Sequence, residues 1–252
     1  RRMVYGEDRG RGEERGGRVG YAEERCRASH YGSATVSVGR EATWEEIAGD
    51  TTVERTTVYH PSVTKVDPRG MLSYVGTRMR VQEGRIVYTE QAIAEATAEA
   101  NRLNAMLDPW LDAGCDEVLI YVHGVANSFN DAAIRTAEMW HFTGRRFIPM
   151  TYSWPSGEKA GLFAYTHDRE SSEFTVLHLK LLLRTLSFND RIRGVHIVAH
   201  SRGTDVTTSA VREIYAQFER GGGERVSERF KLRTVVLAAP DIDSEVFVQR
   251  FF

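Results

Sequence analysis

The sequence predicts an α/β domain, a mostly parallel sheet with helices on both faces. Three observations lead there. Short apolar runs recur through the second half: VLIYV at 118–122, FIPMTYS at 147–153, VHIVA at 195–199 and LRTVVLAA at 232–239. Between them lie stretches with apolar residues at helical spacing, over about 131–143, 172–186 and 204–218. Runs without polar alternation suit strands buried on both faces, as parallel strands are. Four strands alternating with three helices therefore read as β-α-β units in one sheet.

The elements can be taken in order. Residues 1–30 are mostly Arg, Glu and Gly, with alternating charges in RGRGEERGGR. Such composition buries little apolar surface against its ordering entropy, so a disordered arm is expected. Residues 31–115 should form strands and a helix that lead into the core. SATVSV and TRMRVQ alternate with period two, and Pro61 and Pro68 break the pattern. Over 90–112, Ala96, Ala100, Leu103, Leu107, Trp110 and Leu111 share one helix face. Pro109 should kink or end that helix, and Gly114 suits its stop. Residues 116–252 hold the alternating core.

Composition sets outer limits. At 252 residues and 41% hydrophobic, the chain can bury a core without disulfides or metals. A net charge of -2 gives no global attraction to nucleic acid, and the mixed charges of 1–30 argue against RNA. Cys26 and Cys115 have no metal or framework spacing; free thiols are the simpler reading and a bridge between them the alternative. No apolar run approaches a membrane span. No metal cluster or phosphate-cradling loop is present, so no cofactor is expected. Localisation is left open.

The most specific local pattern is Ala199-His200-Ser201-Arg202-Gly203, between an apolar strand and an amphipathic helix. A serine on so sharp a strand-to-helix turn is forced into a strained backbone and exposed at the end of the sheet. Small residues on either side, Ala199 and Gly203, let the turn close. The helix start beside it favours negative charge. Ser201 is thus the candidate nucleophile; the plainer alternative is a serine that caps the helix. His123-Gly124-Val125 follows the strand VLIYV, where a loop could supply a second N–H to an oxyanion. Val125 and Arg202 are the expected donors. Gly124 permits the tight path, and His123 is expected to brace the loop. Asn127 and Ser128 read as turn residues.

Together, YVHGVANSFNDAA, YSWPSG, AYTHDRESSEF, VHIVAHSRG and VVLAAPDIDSEVF resemble a bacterial esterase/lipase-like family long catalogued as a domain of unknown function. The resemblance covers about 117–252. It implies the α/β-hydrolase fold and a serine nucleophile at Ser201, but no substrate. Arg202 stands where the family more often has methionine, which leaves the backbone donor intact. Ser153-Trp154-Pro155-Ser156 reads as a tight turn with a packed tryptophan. Tyr165, Asp168 and Arg169 read as a helix start with an Asp–Arg pair.

In this fold the order along the chain is Ser, acid, His. The histidines are His30, His60, His123, His141, His167, His178, His196 and His200, and none follows Ser201. His200 adjoins the serine and should point elsewhere. Asp241 is one candidate acid; an acid after a further strand is the alternative. The sheet is expected to continue beyond Phe252, with the base on that missing part. The expected function is hydrolysis of a small-molecule carboxylic ester through a Ser201 acyl-enzyme. Acyl transfer is open at the same site, and a non-catalytic binding or scaffold protein is the alternative.

Overall fold

In the computed structural model, the described residues are 2–11, 21–39, 43, 45, 49, 59–73, 79–157, 162–218 and 225–251. Among them the chain forms β1 (Arg2–Arg11), β2 (Tyr21–Val38), β3 (Pro61–Ser73), β4 (Met79–Gln82) and β5 (Arg85–Tyr88). Next come α1 (Glu90–Ala105), α2 (Asp108–Asp112), β6 (Glu117–Val122), α3 (Phe129–Phe142), β7 (Ile148–Ser153) and α4 (Leu162–Ser187). The chain goes on through β8 (Gly194–His200), α5 (Gly203–Phe218), α6 (Val226–Arg229), β9 (Leu232–Ala238) and α7 (Ser244–Phe251).

One sheet of seven strands organises the molecule, in the order β3-β2-β1-β7-β6-β8-β9, and β4 and β5 form a separate hairpin. The pairs β1·β7, β7·β6, β6·β8 and β8·β9 are parallel, whereas β2 runs antiparallel to both β1 and β3. The predicted α/β class and mostly parallel sheet are therefore what the structure has. Its four core strands lie at the predicted places. β6 and β7 are buried along nearly their whole length, as their unbroken apolar text requires. The helix breaks at Met106–Leu107, and Pro109 sits in the first turn of α2, having no N–H to carry α1 on. α4 starts ten residues before the predicted 172, so Asp168 and Arg169 lie inside it rather than before it. No helix among the described residues is long and apolar enough to cross a membrane. Cys26 and Cys115 are both free thiols.

The expected disordered arm at 1–30 is corrected. Arg2–Arg11 is a strand inserted between β2 and β7, and Tyr21 begins another. Residues 12–20 lie outside the described residues. The reason is local: Met3, Val4 and Tyr5 alternate between faces and are all buried. Val4 joins the large core under α1, α4 and α5, with Ile120, Met150 and Leu179. Met3 and Tyr5 join a smaller core against α3, with Tyr21, Phe129 and Ala133. Three consecutive apolar residues, buried on both faces of the strand, outweigh the charged text after them, because the interior position of β1 supplies partners for buried Asp8 and Arg9. Thus Asp8 takes His178 at 2.9 Å and Thr175 at 3.0 Å from α4.

Tyr5 is the anchor of the smaller core. Its ring meets Tyr21 and Phe129 edge-on at 5.7 and 5.1 Å, and its hydroxyl meets that of Tyr21 at 2.7 Å. Tyr5→Ala is expected to cost about 3–5 kcal/mol, as large-to-small changes at buried aromatics do. Urea unfolding checks this, with exposed Val38→Ala as a control expected within about 0.5 kcal/mol of the parent.

Candidate active site

Ser201 sits between β8 and α5 with φ at +50°, left-handed backbone that a non-glycine residue adopts only under constraint. The constraint is visible on both sides. Its N–H donates to the Ala238 carbonyl at 3.0 Å. Its carbonyl accepts from the N–H groups of Thr204 at 3.0 Å and Asp241 at 3.2 Å, and from the Thr204 hydroxyl at 2.7 Å. The serine hydroxyl itself makes no cap bond to α5, so the helix-cap reading does not describe this residue. No hydrogen-bond partner for Ser201 Oγ occurs among the described residues.

Two glycines let three chain segments meet here. A Cβ on Gly124 would lie 2.7 Å from Ser201 Cβ, so the loop after β6 lies directly against the serine. A Cβ on Gly203 would lie 2.5 Å from the carbonyl oxygens of Val122 and His123, so the first turn of α5 rests on the end of β6. Neither contact leaves room for a methyl group. Val125 follows Gly124, and its N–H meets no acceptor among the described residues.

His123 fixes the direction of that N–H. The imidazole is fully buried and stacks on Trp154, with centroids 5.2 Å apart and planes 5° from parallel. Its Nε2 accepts from the Trp154 N–H at 3.0 Å. Nδ1 therefore carries the proton and donates to the Gly124 carbonyl at 2.7 Å. The Gly124 carbonyl and the Val125 N–H belong to one planar peptide and point in opposite directions. Holding the first aims the second away from His123. With both ring nitrogens engaged, His123 braces the loop and is not placed to act as a base. Burial, and next the cation of Arg9, hold its imidazole down at about 3, so it stays neutral.

The other expected residues fall as follows. Asn127 donates from Nδ2 to the Val125 carbonyl at 2.7 Å, and Ser128 caps α3 reciprocally with Asp131. Trp154 is the packed tryptophan of a tight turn, and its Nε1–H donates to the His123 carbonyl at 2.7 Å. Asp168 forms no pair with Arg169; it accepts from the Gly157 N–H at 2.7 Å and approaches His167 at 3.4 Å. Nothing is described of the Tyr165 side chain. His200 is exposed and lines, with Leu119, Tyr121, Met139 and Val198, a cavity of about 530 Å³ between α3 and the strands; its Nδ1 lies 3.2 Å from where a Cβ on Gly124 would be. His196 lies mid-strand beside Glu117 at 3.5 Å. Asp241 Oδ2 pairs with Arg202 Nη2 at 3.1 Å, and no histidine among the described residues touches it. The described residues hold no cluster of three or more His, Cys, Asp or Glu side chains fit for a metal. Sequence reasoning passed over Arg9, which lies behind this loop. Its only signal was a position four residues after the Met3-Val4-Tyr5 run.

A family model described as an alpha/beta hydrolase of unknown function (DUF900) matches residues 97–252. No curated protein and no solved structure matches the chain.

Two measurements probe this site. The unfolded chain protonates His123 below its ordinary 6.5, whereas the folded imidazole resists down to about 3. Stability is thus full above pH 6.5 and falls by about 1.4 kcal/mol per pH unit as pH drops through that window. Urea unfolding at pH 7 and pH 5 should show about 2 kcal/mol more loss in the parent than in His123→Gln. Gly203→Ala, in turn, should lower the melting temperature by several degrees through its clash with the end of β6, read by calorimetry.

Proposed function

This chain belongs to the α/β hydrolases of unknown function, and on that premise we propose that it is a serine hydrolase acting on carboxylic esters. Ser201 is the nucleophile. The observation that carries the reading is the left-handed backbone of Ser201 at the strand-to-helix turn, held against Gly124. A strained, half-buried serine at this point of a mostly parallel sheet is the arrangement in which a hydroxyl can attack a carbonyl from the open end.

The chemistry follows from the geometry. Ser201 Oγ bonds to the ester carbonyl carbon and passes its proton to a base. The carbonyl oxygen takes the electron pair, and the N–H groups of Val125 and Arg202 receive that oxyanion. One such donor is worth roughly 3 kcal/mol of barrier. The N-terminus of α5 adds its partial positive charge. Collapse of the intermediate expels the alcohol with a proton, and water then releases the acid. The described residues bring no base to Ser201 Oγ, so the reading requires one outside that set. Asp241 we assign to bracing, since its carboxylate serves Arg202.

The unaccompanied hydroxyl also favours a second reading, a binding or scaffold protein on the same fold. One experiment separates the two. The protein from its complete reading frame is treated with a fluorophosphonate probe and mapped by mass spectrometry. Labelling at Ser201, lost in Ser201→Ala, is the expected outcome. A folded protein that stays unlabelled would leave the scaffold reading standing.

A further inference from the structure

We propose that Arg9, at the end of β1, is a positioning residue that holds the loop 123–128 in the shape needed to present the Val125 N–H to an oxyanion. The inference deepens the serine-hydrolase reading and rests on it.

Arg9 is wholly buried behind the loop. Its Nε donates to Ser153 Oγ at 3.0 Å, and Nη1 donates to the Ser156 carbonyl at 3.2 Å. Nη2 donates to the Asn127 carbonyl at 2.6 Å and to Ser156 Oγ at 3.3 Å. One planar guanidinium thus ties the turn after β7 to the loop after β6. Ser156 doubles the tie: its hydroxyl donates to the same Asn127 carbonyl at 2.9 Å and accepts from the Asn127 N–H at 3.4 Å.

The loop needs such a tie. Ala126 has φ at +54°, a left-handed conformation without glycine, costing about 1–2 kcal/mol unless its neighbours impose it. The peptide before it and the two peptides after it are the ones held. Asn127 Nδ2 holds the Val125 carbonyl on one side; on the other, Ser156 Oγ accepts from the Asn127 N–H, and Arg9 holds the Asn127 carbonyl one peptide further on. Arg9 acts at the other end of the loop as well. Its Nη2 lies 3.5 Å from His123 Nε2. A cation there disfavours a proton on Nε2, which keeps the proton on Nδ1 and so keeps the bond to the Gly124 carbonyl. That bond aims the Val125 N–H. The guanidinium therefore governs both ends of the donor segment without reaching the substrate. Lysine cannot replace it, because an ammonium lacks the planar fork that reaches Ser153, Ser156 and Asn127 at once.

The test uses Arg9→Lys and Ser156→Ala in the protein from its complete reading frame. The readouts are the fluorophosphonate rate at Ser201, resolved into maximal rate and half-saturating concentration, and hydrogen exchange over 124–128. For Arg9→Lys the expected result is at least a tenfold fall in maximal rate. The half-saturating concentration should hold, exchange in 124–128 should speed up, and β6 and β8 should exchange as before. Ser156→Ala should give a smaller fall of the same kind, and it carries the test should Arg9→Lys not fold. Folded variants with parental labelling and parental exchange would overturn the proposal. If the parent itself is not labelled, the nucleophile reading fails on its own, and exchange over 124–128 still decides whether Arg9 holds the loop.

Discussion

The site depends on one packing constraint, the meeting of Gly124, Ser201 and Gly203 at the ends of β6 and β8. Ser201 can hold a left-handed backbone only because the Ala238 carbonyl, the Thr204 amide and the Asp241 amide fix its peptide groups from three sides. Those partners are in place only if α5 begins tightly against β6, which the missing side chain of Gly203 allows. The loop after β6 can lie against the serine only because Gly124 has no Cβ. A strained turn of this kind is a local cost of about 1–3 kcal/mol, sustained by a well-packed surrounding sheet. β6, β7 and β8 supply that sheet, with Ile120, Met150 and Ile197 fully buried.

The loop on the other side of the serine is stiffened by polar groups instead. His123, Trp154, Ser153, Ser156 and Arg9 form a buried network in which each member uses the others as partners. Buried polar networks reward complete satisfaction, since an unpaired member costs more than the pair gains. A neutral imidazole suits this network better than a charged one, given a cation 3.5 Å away. Burial keeps the His123 ring neutral, the Trp154 N–H and the Arg9 cation at Nε2 set its tautomer, and the tautomer sets the direction of a backbone N–H.

How far the sequence revealed this depends on whether a feature is local. The four core strands were legible because burial on both faces removes polar alternation, and α3 and α5 because their apolar stripes are regular. The serine turn was legible because it requires Ala199, Ser201 and Gly203 at fixed offsets next to a strand. The brace at His123 was legible as a strand-end histidine beside glycine, though its tautomer was not. β1 was illegible. Composition averages over thirty residues, and the three apolar residues that place the strand were swamped by arginine, glutamate and glycine. Nor could Asp8 and Arg9 be read as buried, because their partners come from α4, from the turn after β7 and from the loop after β6. The beginning of α4 was missed for a related reason: residues 162–171 lack an apolar stripe, and contacts such as Asp168 to Gly157 tie that end down.

Arg202 shows how a side chain can serve elsewhere while the proposed chemistry asks only for its backbone amide. Here the guanidinium reaches Asp205 at 3.5 Å and Asp241 at 3.1 Å, and Asp205 also takes Arg250 of α7 at 2.6 Å. The chain of charges links the first turn of α5, the segment after β9 and the last described helix. A methionine at 202 could fill the space but not bridge the two carboxylates. The Asp241 backbone bond to Ser201 would remain, while its side chain would lose its partner. In this chain, then, the segment following β9 is held to the nucleophile turn twice, once by backbone and once by charge, and the second hold is particular to the arginine.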